Sequence, residues 1–541
     1  MLAGWFIKCS LSTFAQQFTK KKEAKKKCSN SSSFINEMMN TNLKAGLDVE
    51  TIGCTLTALR NFKIYSNSWH YFALMKKATL LILSIIILLL STKAQTKKDT
   101  ISFIQSKRMS DADLAKKKEG TFITGIPDFS SDPVTGFGLG VRTNVYWNGK
   151  RENPFFAYTP YLMKLKANAA YYTSNARELI LSLDVPYYKG TRWRFKIDFK
   201  AQQNPANLYF GSAESTLGEL RLPSTPNGGQ TYSTYSTFDK ARKTLRAGGI
   251  GEASFVTDAL SNRFRETEYM LNLKADYALG RKGIWRIMGG YEIQHLSYKT
   301  FEGTDAVAID PNTGQEIRAP NGTSLLRRDF QQGLVSGLDG GWVSILQTAF
   351  IFDTRDFEPD PTRGYYFELA NEFSNPIIGS QFNFNKLFLQ GRFYKKIPIG
   401  PRTVFGGRLG IGNIFGDNAP FFEFQDQWSP DGSINSLGGK QSLRGHRANR
   451  FLARSLAFAN FELRVRLAET KFGKQRFAFG VAPFFDAGTV RDKWQDLNFS
   501  NIKTSYGGGL RIAWNQSTIL SFDYGVSKED KLFYIGIGQA F

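Results

Sequence analysis

Cysteine and histidine are scarce in this 541-residue chain, and their positions restrict the chemistry it can perform. The cysteines Cys9, Cys28 and Cys54 lie in the first tenth of the sequence, so the remainder can hold no disulfide framework and no cysteine metal site. Beyond residue 94 the histidines are His295 and His446. We find no His-Glu-x-x-His, Gly-x-Ser-x-Gly or paired-cysteine motif. We therefore predict no enzymatic activity, no bound metal and no cofactor.

Long apolar runs are equally scarce, and the mean hydropathy is −0.31. One continuous run covers residues 78–90, after Met75 and two lysines and before the small residues that end at Ala94. This order is typical of a secretory signal peptide, and the run is too short for a comfortable transmembrane helix. A retained membrane anchor is the alternative. No cysteine follows the expected cleavage point, which excludes a lipoprotein.

Residues 1–74 lie upstream of an apparent initiator methionine and include the basic run 20–27. We expect them to be a mis-called upstream extension, with Met75 the true start, although a long basic leader is the alternative. Residues 75–94 are then the signal peptide, and neither segment enters the reasoning about fold.

The net charge of +23 falls once these segments are set aside. Residues 95–541 carry 57 Lys and Arg against 43 Asp and Glu, a net charge of +14. A basic chain can indicate a nucleic-acid partner. Here the charges are scattered through alternating strands and polar loops, and a water-filled lumen with anionic-lipid contacts explains them. We expect no nucleic acid as partner.

Alternation of apolar and polar residues dominates the chain from about residue 135. Residues 136–147 and 365–373 both place apolar side chains on one face and polar side chains or glycine on the other. Lipid outside and water inside a barrel require this pattern, but a soluble sandwich produces it too. The signal peptide, 46 Phe, 22 Tyr and the terminal Phe541 favour a transmembrane antiparallel β-barrel.

Sixteen candidate strands can be counted, an even number as in bacterial single-chain barrels. The weakest begins near residue 206. The three longest connections, 213–262, 301–340 and 413–455, follow predicted strands five, seven and eleven. Long connections after odd strands all face outward, as the barrel rule requires. The predicted strands begin near residues 135, 155, 177, 192, 206, 263, 284, 341, 362, 381, 403, 456, 475, 503, 517 and 531.

We therefore expect three regions after the upstream extension: a signal peptide at 75–94, a short periplasmic segment at 95–134 and an outer-membrane β-barrel at 135–541. The last strand is the clearest, with Phe533, Ile535, Ile537 and Phe541 on one face. An apolar strand that ends in an aromatic residue resembles the C-terminal signal of outer-membrane barrels. An exposed edge this apolar would promote aggregation unless the barrel closes.

The stretch from Gly438 to His446 carries the most specific resemblance. Gly438, Gly439, Leu443, Arg444 and Gly445 resemble the extracellular-loop motif of BamA/TamA-type barrels, the bacterial surface antigen superfamily, with His446 in place of the usual aromatic residue. Asp353, Arg355, Asp356 and Gly364 resemble the strand-turn-strand signature of that family. The stretches 460–464 and 477–488 resemble the two strands after the loop. The likeness covers about 340–541, and 120–340 more weakly.

The resemblance implies that this loop folds back into the lumen. Arg444 would then meet Asp486, together with Glu462, and Gly488 would leave room for the loop at the wall. Arginine suits such a tether because its planar fork makes bidentate charge-assisted hydrogen bonds. The alternatives are a solvated loop arginine and ordinary lumen polarity.

The resemblance also implies a function. We expect the barrel to assist insertion or translocation of proteins, or of lipids, at the outer membrane of a Gram-negative-type bacterium, in a variant without periplasmic repeat domains. Expected partners are outer-membrane lipids, unfolded barrel clients and other assembly-machine subunits. A seam between the first strand, taken to carry Gly136, Gly138 and Gly140, and the last, with Gly536 and Gly538, would open sideways. The alternatives are a passive pore or transporter, a structural surface barrel, and glycines that merely make space.

Overall fold

The computed structural model describes residues 109, 111–223, 230–280, 282–358, 360–399, 402–473, 475–498, 500–514 and 518–541. The predicted upstream extension at 1–74 and signal peptide at 75–94 lie outside the described residues. None of the described helices is long and apolar enough to cross a membrane.

Sixteen strands pair antiparallel in sequence order and close into a barrel, which confirms the predicted architecture. Every connection between them is a hairpin or a loop, so neighbours in sequence are neighbours in the sheet. The strands are β1 Thr121–Asp132, β2 Gly136–Trp147, β3 Met163–Tyr172, β4 Arg177–Val185, β5 Trp193–Leu208, β6 Arg263–Leu279, β7 Trp285–Thr300, β8 Gly341–Asp353, β9 Gly364–Ser374, β10 Asn383–Ile397, β11 Thr403–Asn418, β12 Ser455–Phe472, β13 Gln475–Arg491, β14 Lys503–Trp514, β15 Thr518–Val526 and β16 Lys531–Ile537.

Two errors in the predicted strand order cancel in the count of sixteen. The barrel begins at Thr121 with β1, not at residue 135, so the predicted segment 95–134 contains a barrel strand. The predicted strand near 206 is the end of β5, which continues through Pro205 to Leu208. Its pairing with β6 shifts register there, so the proline sits at a bulge, where a strand tolerates it.

The predicted seam strand was therefore the wrong one. Gly136, Gly138 and Gly140 belong to β2, which pairs with β1 on one side and β3 on the other. A side chain at Gly138 would meet Ser130 of β1 and Tyr172 of β3, so this glycine makes room for the lumen side chains of its neighbours. The first strand at the seam is β1.

The two faces of the wall differ as a membrane barrel requires. Val141 and Leu510 on the outer face are 59% and 58% exposed, as lipid-facing residues of an isolated chain must be. Lumen-facing Gln347 and Glu368 are completely buried, although both are polar. They are buried because other side chains fill the lumen.

Several short helices and hairpins lie outside the sixteen barrel strands. Helix α1, Asp111–Lys116, precedes the barrel, and α2, Tyr235–Arg242, and α3, Leu325–Gln331, lie in the loops after β5 and β7. Four short hairpins accompany them: Leu220–Arg221 with Thr231–Tyr232, Leu245–Ala247 with Phe255–Thr257, Asp305–Ile309 with Glu316–Pro320, and Asp426–Gln427 with Ile434–Asn435.

The loop between β11 and β12, residues 419–454, enters the barrel, and we call it the inner loop. Its aromatic residues Phe421, Phe422 and Phe424 pack against buried apolar side chains at the outer ends of the strands, among them Phe264 of β6 and Tyr298 of β7. Phe421 meets these two rings at centroid distances of 5.6 and 4.9 Å. This packing, the apolar plug, fills the outer part of the lumen beside β6 and β7.

The end of the chain departs from its predicted pattern. Phe533 is 47% exposed on the outer face, whereas Phe541 is buried. The strand ends at Ile537, and Gly538 then takes φ +106°, which turns the chain inward. The ring of Phe541 packs on Tyr394, and its main-chain oxygen accepts a hydrogen bond from Arg464 at 2.7 Å. Phe541 therefore does not share a face with Phe533, Ile535 and Ile537.

The position of β1 can be tested with cysteines, because none lies between residue 55 and the end of the chain. Ile123 of β1 faces Val145 of β2 in register. We expect the oxidised Ile123→Cys/Val145→Cys variant to form a disulfide, measured by gel shift. Val141 pairs instead with Pro127, so an Ile123→Cys/Val141→Cys variant should not cross-link. The reverse result would remove β1 from the barrel in this register.

Candidate functional site

The loop motif forms a sharp turn that only glycine can make at two positions. Gly438 has φ +124°, and an added Cβ would lie 2.2 Å from the carbonyl oxygen of Arg447. Gly445 has φ +85°, and an added Cβ would lie within 3.0 Å of the backbone of Val526 in β15. Gly439, also at positive φ, donates its N–H to the carbonyl of His446 at 2.9 Å. The turn thus presses directly against the barrel wall.

Arg444, at the tip of this turn, lies among the carboxylates that the resemblance implied. Its Nε and Nη2 donate to the two carboxylate oxygens of Asp486, both at 2.8 Å. Its Nη1 donates to Glu462 at 2.6 Å, and its main-chain N–H to Asp486 at 3.1 Å. The guanidinium lies 3.4 Å from the ring centre of Phe484. The structure therefore brings together Arg444, Asp486 and Glu462 in one buried group.

Further polar groups complete this group, which we call the Arg444 tether. Asn460 donates to Asp486 and to the carbonyl of Ser442, both at 2.8 Å. Arg408 donates to Asn460 and also to the carbonyl of Gln441. Burial alone would lower the pKa of Arg444, but Asp486 and Glu462 outweigh burial and raise it. The arginine therefore stays charged.

Small residues on the wall, Gly488 among them, let the loop approach. A Cβ on Gly488 would lie 2.3 Å from Leu437 of the inner loop. Leu437 and Leu443 are both fully buried and pack in one cluster with Phe451. The apolar side of the turn is thus fixed against β12 and β13 while its polar side is held by the tether.

His446 stands where the related motif has an aromatic ring. Its imidazole is buried and packs edge-on against Phe451 at a centroid distance of 5.1 Å. Burial, with a contribution from Arg450, lowers the pKa of His446 to about 3. The imidazole is therefore neutral at ordinary pH and takes the place of an aromatic side chain.

A second anchor of the inner loop involves the strand-turn signature. Arg355 pairs with Asp353 at 3.1 Å and with Asp431 of the inner loop, also at 3.1 Å. Arg392 of β10 donates to the same Asp431 at 2.6 Å. The signature arginine thus reaches from the turn into the lumen. Asp431 was missed in the sequence because its Pro-Asp-Gly setting is typical of an ordinary turn.

The other signature residues shape that turn. Asp356 accepts main-chain N–H groups from Thr362 at 2.9 Å and Arg363 at 3.3 Å. Gly364 has φ +108°, and an added Cβ would lie 2.4 Å from the carbonyl oxygen of Thr354. Asp356 and Gly364 therefore hold the backbone that presents Arg355.

A third anchor is Lys386 of β10, which the sequence analysis did not single out. Its ammonium lies 3.0 Å from both Glu423 and Asp426 of the inner loop, and 3.2 Å from Glu372 of β9. Alternation predicts a lumen-facing lysine, but its partners lie 37 and 40 residues away, beyond what local pattern reveals.

The inner loop also touches the junction of β1 and β16, the seam. Arg447 donates from Nε to Asp530, in the loop between β15 and β16, at 3.0 Å. It donates from Nη1 to the carbonyl of Pro133, in the turn between β1 and β2, at 2.9 Å. One side chain thus bridges the two sides of the seam at its outer end, and we call this bridge the Arg447 latch.

The arrangement offers buried ion pairs rather than reactive groups. Within the part of the chain that the structure describes, no three His, Cys, Asp or Glu side chains could together hold a metal ion. The geometry can fix a loop inside a barrel and bring it against the seam.

Comparison of the sequence with known protein families identifies the family of this chain. The Omp85 superfamily domain matches residues 163–541, more than half of the chain. The chain belongs to the Omp85 superfamily. The predicted resemblance is thereby confirmed, and this Omp85 barrel resides in the outer membrane of a Gram-negative-type bacterium. A domain of unknown function, DUF5982, matches residues 99–162, which include β1 and β2.

Several solved structures resemble this Omp85 chain distantly. BamA from Haemophilus ducreyi lacking POTRA domains 1–3 is 12% identical with a TM-score of 0.43, and the match covers 78% of this chain and 71% of that one. CdiB from Escherichia coli is 11% identical with a TM-score of 0.44, covering 77% and 63%. CdiB from Acinetobacter baumannii is 11% identical with a TM-score of 0.40, covering 78% and 60%. No curated protein sequence matches the chain.

The Arg444 tether can be measured by a double-mutant cycle. Arg444→Ala leaves the buried Asp486 carboxylate without its cation, and Asp486→Ala leaves a buried cation short of one partner. We expect a coupling free energy of about 2 kcal/mol in urea unfolding of the micelle-embedded barrel. The exposed pair Arg402 and Glu469 is the control, and its cycle should give less than about 1 kcal/mol. Additive effects of the two tether substitutions would contradict the tether.

His446 gives a pH-dependent prediction. Unfolded imidazole takes up a proton below about pH 6.5, but the buried ring does so only near pH 3. The native barrel therefore loses stability as the pH falls from 6.5 toward 3, and His446→Phe removes this loss. Relative to the variant, wild type should lose about 2 kcal/mol of unfolding free energy between pH 7 and pH 5. If the unfolding free energies of wild type and variant changed in parallel with pH, His446 would take up its proton at the same pH in the folded and the unfolded protein.

Proposed function

We propose that this barrel assists the insertion or translocation of proteins at the outer membrane by opening its seam toward lipid. The partners we propose are outer-membrane lipids, unfolded barrel clients and subunits of an assembly machine. Lipids are the second class of cargo. The chemistry is non-covalent throughout, since the site consists of ion pairs and packing.

The weakness of the seam is the observation that carries this proposal. Between β1 and β16 a single residue pair is in register, Ser131 with Ile535. On the other side of β16, pairing with β15 runs from Leu520–Ile537 to Val526–Lys531. Pro127, in the middle of β1, has no N–H to donate to a sheet, and proline in sheets is confined to edges and bulges. Most of β1 thus presents an edge.

The short last strand adds to this weakness. β16 has 7 residues, whereas β12 has 18. Seven residues extend about 24 Å, or about 17 Å along the membrane normal at a 45° tilt, against an apolar band about 25 Å tall. The wall is therefore thinnest at the seam. A shorter hydrophobic height favours local thinning of the bilayer there.

The inner loop connects this seam to strands β12 and β13. Arg444 holds the loop on β12 and β13, and three residues later Arg447 bridges both sides of the seam. Between them, the carbonyl of Gly445 accepts from Ser527 at 2.7 Å, and the carbonyl of His446 accepts from Tyr534 of β16 at 3.3 Å. Movement of β1 away from β16 has to break the Arg447 latch.

A passive pore is the competing function, and the apolar plug weighs against it. Phe421 is fully buried and Phe422 nearly so, beside the rings of Phe264 in β6, Tyr298 in β7 and Phe382 just before β10. Solute permeation through this region requires water among packed aromatic rings, whose burial is favourable. The inner loop would have to leave the lumen to open such a path.

The test is to lock the seam. In a Ser131→Cys/Ile535→Cys variant, oxidation should join β1 to β16. We expect the locked barrel, reconstituted in vesicles, to lose its acceleration of the folding of an unfolded outer-membrane barrel client, and reduction to restore it. Client folding is measured by protease protection.

The matched control is the Ile123→Cys/Val145→Cys disulfide, which joins β1 to β2 and leaves the seam free. It should not affect client folding. Undiminished acceleration by the locked barrel would contradict seam opening. Steady single-channel conductance that is unchanged by the lock would favour the passive pore.

A further inference from the structure

A cavity of about 660 Å³ lies among the outer loops, beside the Arg447 latch. Its wall combines α2, the hairpin of residues 305–320, the first residue of β6 and the side chains of the latch. Its volume is in the range of small-molecule sites. The tether does not use this cavity, but the latch residues Arg447 and Asp530 form part of its wall.

The wall of the cavity carries more positive than negative charge. Five basic and three acidic side chains line it, a surplus of two positive charges. The acidic side chains are already engaged in part: Asp239 lies 2.5 Å from Arg242 and 2.6 Å from Lys243, so one carboxylate serves two cations. The basic residues are Arg242, Lys243, Arg263, Arg318 and Arg447, and the acidic residues are Asp239, Asp305 and Asp530.

Arg263 and Arg318 are the two cations of the wall that form no ion pair within the described residues, and Arg263 is the more enclosed of the two. Its Nε is buried and makes no hydrogen bond. A buried donor without an acceptor is unfavourable by about 1–3 kcal/mol, more for a charged group, unless a ligand supplies one. Arg242 and Arg447 line the same cavity, but each is already paired with a carboxylate of the wall, Asp239 and Asp530 respectively. The surplus of positive charge therefore includes Arg263 and Arg318.

We propose that this cavity binds a phosphorylated sugar, with its phosphate monoester held by Arg263 and Arg447. Such a phosphate carries a charge of about −1.5 to −2 at pH 7, which matches the surplus of the wall, and guanidinium groups bind its oxygens in bidentate fashion. The cavity is larger than a phosphate needs. Leu260, Ala306 and Val307 offer an apolar wall for a sugar ring, and Ser236 and Asp305 offer partners for its hydroxyls.

Binding is measured by calorimetry on the purified full chain in detergent, so the result does not depend on client folding. The probes are N-acetylglucosamine 1-phosphate, N-acetylglucosamine and inorganic phosphate. We expect the sugar phosphate to bind more tightly than either of the others. If inorganic phosphate bound as tightly as the sugar phosphate, the proposed recognition of the sugar would be overturned. If N-acetylglucosamine bound as tightly as the sugar phosphate, the proposed recognition of the phosphate would be overturned.

The variant Arg263→Gln should weaken binding of the sugar phosphate by about tenfold or more, since a charge-assisted hydrogen bond is lost. The matched control is Arg265→Gln. Arg265 also has a buried Nε without a hydrogen bond, but it lies outside the cavity wall, so its variant should bind normally. Equal loss in both variants, or in neither, would overturn the site.

Arg318→Gln provides a second variant should Arg263→Gln fail to fold. Arg318 is exposed on the outer hairpin, so its loss leaves the barrel intact. It too should weaken the sugar phosphate and leave the heat-dependent gel mobility of the folded barrel unchanged. Unchanged affinity in this variant would overturn the proposed site.

Discussion

Lipid offers no hydrogen-bond partner to a peptide group, and this constraint governs the whole structure. Strands in a bilayer must therefore pair on both edges, and fourteen of the sixteen strands pair with several residues on each side. The exceptions are β1 and β16, which pair fully with β2 and β15 but share one register position with each other. The seam is where the barrel satisfies its own backbone least, so it is where another strand gains most by approaching.

The lumen obeys a second constraint, that buried charge must be paired. The inner loop brings Arg444, Asp431, Glu423 and Asp426 into the barrel, and each meets an opposite charge on the wall. Removing one partner of such a pair is far more unfavourable than never having built it. The anchors therefore define where the loop sits more than they add to stability, and they place its tip against the last strands.

How much of this could be predicted depends on whether the signal is local. Alternation is local, so most strands and the lipid-facing residues could be read from the sequence. β1 was missed because Pro127 and the polar residues Asp128, Ser130, Ser131 and Asp132 leave few apolar residues to mark its alternation. β5 was divided because Pro205 marks a bulge inside a continuous strand.

Contacts between distant segments were accessible only through a motif. Arg444, Asp486 and Glu462 could be named because the loop motif and the two following strands resemble a known family. Asp431, Lys386 and Arg447 lie outside that motif, and their partners are set by how the loop folds in the lumen. Phe541 was misplaced for a similar reason, because one glycine dihedral at Gly538 turns the chain inward.

The anchors of the inner loop differ in how far solvent can reach them, and the tether is more deeply buried than the latch. At the tether, the side chains of Arg444, Asp486 and Glu462 are at most 1% exposed, so water cannot easily compete for them. At the latch, Arg447 and Asp530 are each 17% exposed, and solvent weakens their attraction. The inner loop is therefore held firmly on β12 and β13 by the tether and more weakly at the seam by the latch. The proposed seam opening would therefore leave the loop seated in the lumen, because breaking the latch does not require breaking the tether.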